Sequence, residues 1–184
     1  MANGITLKWD DSRLGALQGT SAERAMFRAL RKAGSGAIKA AKAESNRQIR
    51  ANKKFKVSRV NKALSLQAPR GATSIEQLAW VMRVKVLPVP LVEFPNRQGR
   101  KGVTATVNAG KPVLLKSAFR ATMRSGHVGI FRRLGKARLG IKELYSTRVR
   151  DVFDDAGMLP AVWERAQTVF ARDYARLLPL ELAK

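Results

Sequence analysis

The residue types that carry acid–base, nucleophilic and metal chemistry are scarce in this chain of 184 residues. It has no cysteine, which removes disulfides, thiolate nucleophiles and thiolate-bound metals together. His127 is the one histidine, so no two-histidine metal site is available. The spacing leaves a Ser-His-Asp arrangement through His127 open, but nothing else in the sequence converges on it. Beside Gly126 it reads more simply as a turn residue whose ring packs or caps. The carboxylate pairs Asp10-Asp11 and Asp154-Asp155 are adjacent in sequence. Neighbours on a helix or strand point away from each other, so neither pair is set for acid–base work unaided. Two Gly-Lys steps invite a phosphate-loop search, which needs a glycine five residues upstream and Ser or Thr downstream. Gly110-Lys111 has Ala105 and Pro112 at those places, and Gly135-Lys136 has Ile130 and Ala137. Both fail. The expectation is a protein with no catalytic residues, no metal and no cofactor.

Charge is the dominant signal: 36 Lys and Arg against 13 Asp and Glu, a formal +23. It is uneven. Residues 151–184 carry six acids and four bases, a net −2, which leaves +25 on the first 150 residues. Such a field attracts polyanions, nucleic acid above all, and repels copies of itself at low salt. It also suits a solvated basic surface whose partners are acidic proteins. Residues 23–62 hold thirteen bases and two acids, and the densest stretch runs from Arg47 to Lys56. Arg47, Arg50, Lys53, Lys54 and Lys56 are the first candidates for a polyanion-facing group, with Arg97, Arg100 and Lys101 second; exposed charge without a partner is the competing reading. No apolar run of 18 residues occurs, so no spanning helix and no membrane partner are expected.

The elements that must position these residues follow from periodicity. Ile5–Trp9 alternates as a short strand does, and Asp10, Asp11 and Gly15 read as a turn region. Thr20 with Glu23 has capping-box spacing. A helix is predicted from there to about Ala51, with Met26, Leu30, Ala33, Ala37 and Ala41 as its apolar stripe. The Gly34-Ser35-Gly36 step predicts a kink or a break. Ser58 is the expected N-cap of a short second helix. The period then switches to two: Leu78, Trp80, Met82, Val84 and Val86 face a core. Pro88 and Pro90 confine Val89–Phe94 to a sheet edge or an extended crossing. Asn96–Gly102 is expected as a loop, Val103–Val107 as a strand and Asn108–Pro112 as a turn. Leu114–Met123 has no readable period. Ser125-Gly126-His127 reads as a tight turn before a strand at Val128–Arg133; Gly135–Arg138 turns again and Leu139–Tyr145 extends. Pro160 suits the first turn of a C-terminal helix. Its expected stripe is Trp163, Ala166, Phe170, Tyr174 and Leu177, with Trp163 and Phe170 in the core and Pro179 ending the run. The fold class is α+β, one domain spanning 1–184, with an antiparallel sheet flanked by a long basic N-terminal helix and a C-terminal amphipathic helix. By sequence it has three parts: the N-terminal strand and basic helices at 1–62, a β-rich middle at 63–146, and a helical segment at 147–184.

Residues 94–145 resemble minor tail protein Z of lambda-like tailed phages and prophages. The residues that carry the resemblance are Ala118-Phe119, Met123, Ser125-Gly126-His127, Gly129-Ile130-Phe131, Arg133, Gly135-Lys136, Arg138-Leu139 and Ile141–Tyr145. Upstream, Pro90–Phe94 is similar to the family's Pro-Leu-x-x-Phe strand, and residues 23–51 and 148–178 resemble its N- and C-terminal helices. The chain departs from the pattern at Ser146-Thr147, where the family usually has Gly or Pro, and at Gly140, where it favours proline. Both positions shape turns.

The resemblance implies a tail-completion or neck subunit, assembled in the bacterial host cytoplasm and retained in the virion at the head–tail junction. It implies copies arranged in a ring, commonly sixfold, that meet a tail terminator or tail tube protein on one surface and a head–tail connector on another. Phage DNA in the lumen would be held by non-specific phosphate contacts. Gly126, His127, Gly129 and Gly135 are expected to serve turn geometry first and subunit contact second, and Phe119, Ser125, Phe131, Arg133 and Lys136 complete the assembly motif. The acidic surplus of the C-terminal segment suits the basic body of a neighbouring copy. The alternatives are a free basic nucleic-acid-binding protein, nucleoid- or ribosome-associated, and a tail assembly factor not retained in the virion. Trp80 and Phe131, near bases on expected strands, are the candidate stacking platforms for the first of these.

Overall fold

The computed structural model describes residues 4–8, 20–135, 140–154 and 157–184. The expected turns at Asp10–Gly15 and at Lys136–Arg138 lie outside them, as do Lys136 itself and Asp155. The first half of the chain forms β1 (Gly4–Lys8), α1 (Ser21–Asn52), α2 (Val57–Ala63), β2 (Leu64–Gln67), β3 (Ala79–Val84) and β4 (Val89–Pro90). The second half forms β5 (Asn96–Gly99), β6 (Gly102–Asn108), β7 (Lys111–Lys116), β8 (Ala118–Thr122), β9 (Val128–Arg133), β10 (Ile141–Glu143) and β11 (Tyr145–Ser146). Two helices follow, α3 (Val149–Phe153) and α4 (Met158–Leu182). The fold is α+β. Its strands pair antiparallel in four small sheets rather than one: β1-β3-β2, β5-β6-β7, β10-β9-β8 and β11-β4.

Residues group into two compact units that interleave along the chain: 1–45 with 64–85 and 155–184, and 46–63 with 86–154. In the first unit, α1 presents an almost continuous stripe of buried small residues, Ala29, Ala33, Ala37, Ala41 and Ser45, bordered by Leu30 and Ile38. Small residues let other elements approach closely. β3 lays Trp80, Met82 and Val84 on that core, the period-two face expected from the sequence, while Val86 lies beyond the strand and is exposed. The Gly34-Ser35-Gly36 step does not break α1, which runs through it without interruption. Its first glycine is space instead: a Cβ on Gly34 would lie 2.4 Å from the Trp80 ring, and Trp80 Nε1 donates to Ser35 Oγ at 3.3 Å. At the start of α1, Thr20 Oγ1 accepts from Glu23 N at 3.2 Å.

Three expectations for the helices are corrected. α2 begins at Val57, so Ser58 is inside it; Lys56 O takes the first N–H groups, from Arg59 at 3.1 Å and Val60 at 3.2 Å. α4 buries Val162, Ala166 and Val169, and Trp163 is exposed, because two three- and four-residue stripes share Ala166 and the slimmer side chains take the core. Phe170 is half-buried and stacks on Tyr174 with ring centroids 6.0 Å apart. Pro179 lies inside α4 rather than ending it. A proline costs an internal hydrogen bond, and here the following turn is secured by Glu181, which pairs with Arg28 and Lys32 of α1.

In the second unit the expected loop Asn96–Gly102 is a hairpin: β5 pairs with β6 from Asn96↔Ala105 to Gly99↔Gly102. β5 is a polar edge strand, exposed from Arg97 to Gly99, and charged edges suppress unwanted pairing while leaving no apolar period to read. Gly102 sits at φ +144 with its α-carbon so close to β7 that a Cβ would lie 2.1 Å from Leu115 O. Pro112 belongs to β7 rather than to the turn, which centres on Gly110 at φ +73. A proline is tolerated on an edge strand, where an N–H is dispensable. The untyped stretch 114–123 comprises the second half of β7 and all of β8. No helix among the described residues is long and apolar enough to cross a membrane.

Candidate nucleic-acid interface

Every candidate binding residue falls in the second unit. Where α1 ends, Ile49 is fully buried and Arg47 and Arg50 are exposed. The chain then docks on the far end of β6: Lys53 bridges to Asn108, and Lys54 N donates to Val107 O at 2.9 Å. Lys53 is half-buried and its Nζ donates to Asn108 Oδ1, so this lysine secures the junction. Phe55 turns inward and packs on Phe94 with ring centroids 5.2 Å apart, leaving its neighbours Lys54 and Lys56 exposed on the outside. One buried aromatic between two lysines thus aims both cations at the same surface.

That surface is an open cleft of about 440 Å³ lined by Lys54, Lys56 and Arg120 together with Glu93, Phe94 and Asn96. Arg120 comes from β8 and is placed by its own N–H, which donates to Gln98 Oε1 at 2.8 Å. The one carboxylate in the lining is already engaged. Arg59 grips Glu93 with both fork nitrogens, Nε on Oε2 at 2.9 Å and Nη2 on Oε1. The guanidinium hydrogen bond holds the Glu93 carboxyl below its usual range and raises Arg59 in turn. Asn96 Nδ2 donates to Val92 O at 3.1 Å and Phe94 O at 2.7 Å, which ties the wall of the cleft; its Oδ1 is buried without a partner. The cleft therefore offers three cations around a neutralised acid, a setting for an anionic backbone. Arg120 escaped the sequence reading because its element showed no period. In the structure burial does alternate along β8, with Phe119 half-buried and Arg120 exposed.

Arg97, Arg100 and Lys101 are all exposed; Arg100 and Lys101 lie in the turn between β5 and β6, at the opposite end of the sheet, and Arg97 lies on β5. At about 3.4 Å per residue along β6, Lys101 is roughly 20 Å from the docking point of Lys53 and Lys54. Arg100 and Lys101 thus stand apart from Lys53 and Lys54 along β6, while Arg97 follows Asn96 of the cleft wall.

The motif residues meet in the β10-β9-β8 sheet. Phe119 pairs with Phe131 across β8 and β9, and Phe131 with Glu143 across β9 and β10. Gly126 takes φ +80 in the tight turn after Arg124 and Ser125, and its N–H donates to Met123 O. Gly129 lies in β9, not in a turn: a Cβ there would meet Phe131 Cζ at 2.7 Å and Glu143 Oε1 at 2.9 Å. Gly135 has neither a positive φ nor a crowded α-carbon. Arg133 lies over the Phe119 ring, 5.5 Å from its centroid. His127, Glu143 and Tyr145 form a chain: His127 Nε2 is 2.9 Å from Glu143 Oε1, and Tyr145 Oη donates to Glu143 Oε2 at 2.8 Å. That hydrogen bond raises the Tyr145 phenol above its usual range. The ring of His127 also meets Phe131 edge-on at 6.4 Å. These contacts cross-link β9, β10 and β11. Among the described residues no group of three or more His, Cys, Asp and Glu is placed to hold a metal. Trp80 and Phe131 are both buried, so neither offers a ring face to a base.

The chain matches no protein-family model, no curated protein and no solved structure.

Proposed function

We propose that this protein is a non-enzymatic structural subunit of a tailed-phage virion, a tail-completion or neck protein at the head-proximal end of the tail. In this reading it joins tail to head within a ring of its own copies and contacts the DNA in the channel through phosphates, without reading sequence. The setting comes from the resemblance of residues 94–145 to minor tail protein Z. The observation that carries the DNA contact is the cleft in which Lys54, Lys56 and Arg120 surround a Glu93 already paired with Arg59. Cations clear of competing carboxylates release counterions when they meet a phosphate backbone, which gives affinity without specificity. The engagement of His127 by Glu143, and of Glu143 by Tyr145, supports a packing role for the motif over acid–base chemistry. The buried rings of Trp80 and Phe131 weigh against single-strand stacking, and so against the free nucleic-acid binder.

Immunogold electron microscopy of phage particles from the host that encodes the chain tests the proposal. Label confined to the head–tail junction is the expected result. Particles without label, beside a positive blot of the lysate, would overturn the virion role and leave an assembly factor or a free binder.

A further inference from the structure

The outer edge of β7 has no partner strand among the described residues, since the sheet order ends there. Its sequence is Lys-Pro-Val-Leu-Leu-Lys, and Val113 and Leu114 are 52% and 44% exposed. Neighbours on a strand point to opposite faces, so this strand shows apolar side chains on both faces as well as an unpaired edge. Natural edges are normally blunted by charge, proline or bulges; β7 has lysines at its two ends and Pro112 beside the first, which leaves Val113–Leu115 without such a device. An edge of this kind accepts an added strand.

Charge decides the occupant. A second β7 would bring lysine against lysine, antiparallel (Lys111 opposite Lys116) or parallel, and like charges directly opposed are destabilising. The other strands of the chain do no better. Glu143 is the single acidic residue in any named strand, and both its oxygens are taken, by His127 and Tyr145. Among the described residues no strand therefore offers matching carboxylates, and the +23 charge adds repulsion between copies. We propose that the β7 edge is a docking site for an extended, acidic-flanked apolar segment of a different protein, added as a further antiparallel strand. Main-chain hydrogen bonds supply the pairing, Val113 and Leu114 the apolar contact, and Lys111 and Lys116 the register.

The test uses the full-length protein and a fluorescein-labelled peptide of alternating valine and threonine with paired glutamates at each end, beside a lysine-ended version. Anisotropy titration is expected to show saturable binding of the glutamate peptide, at least about tenfold tighter than the lysine one. Hydrogen exchange is expected to slow at residues 111–116 in the complex. Leu114→Lys, on an exposed position that the core does not need, is expected to abolish binding, and Leu114→Thr to retain most of it. Failure of the wild type to bind, or equal binding of both peptides, would overturn the proposal. So would sedimentation showing a self-associated wild type that Leu114→Lys dissociates, because a second copy would then own the edge. Displacement of the peptide by duplex DNA, with DNA binding weakened by Leu114→Lys, would assign the edge to nucleic acid instead. None of these outcomes depends on where the protein resides in a virion.

Discussion

Glu181 is a buried carboxylate held by three cations. Its side chain is 2% exposed and receives Lys32 Nζ at 2.6 Å, Arg28 Nε at 2.8 Å and Lys184 Nζ at 3.2 Å. A buried carboxylate is costly alone and tolerable when every oxygen is bonded; here the cations, Lys32 first, hold its pKa down to about 2. The folded state thus binds this proton more weakly than the unfolded chain, whose glutamates titrate near 4.3. The contribution to stability is fully present above that value and fades as pH falls through the window down to about 2. Glu181→Gln should therefore lower the melting temperature clearly at neutral pH. The gap to wild type should close between about pH 4.5 and pH 2. Thermal melts of both proteins across that range are the check, and a gap that persists below pH 2 would mean packing, not charge, is what the substitution removes. Only Lys184 is local; the partners on α1, Lys32 and Arg28, lie 149 and 153 positions away, so the local sequence did not mark this residue.

At the scale of elements, α1 shows how the same residues are read differently with and without neighbours. Two glycines in a helix signal weakness by propensity, and the structure gives the first one a partner in Trp80, 46 residues on. Gly34→Ala gains about 1 kcal/mol of helix propensity but drives a methyl into the indole. Overpacking of that kind costs about 1–3 kcal/mol, so the net expectation is loss. Gly36→Ala gains the same propensity and meets only the end of Asp173, a side chain that can swing aside. Paired melts should show Gly34→Ala lowered and Gly36→Ala level or raised; the reverse order would show that Trp80 does not depend on that space. The same logic separates what the sequence revealed from what it hid. α1, β3, β6, β9 and α4 have long apolar periods and were legible. β5 and β7 were not, since one is a polar edge and the other is apolar on both faces, so neither alternates. The division of the strands among four small sheets was equally hidden, because it depends on which edges meet. Of the candidate site, Lys54 and Lys56 were legible from charge density alone. Their convergence on Arg120 was not, since β8 had to be placed first.

At the scale of the whole molecule, the excess of 36 bases over 13 acids favours attraction to polyanions in general and says nothing about where one would sit. A diffuse field and a defined cleft differ in how affinity responds to salt. Each phosphate contact on duplex DNA adds about −0.9 to the slope of log affinity against log salt. If the Lys54, Lys56 and Arg120 cleft holds the backbone, the triple substitution to glutamine should flatten the slope by about 2–3. It should also weaken binding equally for unrelated sequences, since phosphate contacts carry no base information. Removing Arg97, Arg100 and Lys101 instead, none of which lines the cleft, should leave the cleft's share of the slope intact. Anisotropy titrations of a short labelled duplex between about 50 and 200 mM salt measure both. Equal flattening by the two triple variants would mean that the charge acts as a field over the surface, and the cleft would lose its claim as the contact. Flattening confined to the cleft variant would tie the strongest signal in the sequence, its charge, to one place: the junction where α1 ends and β6 receives it.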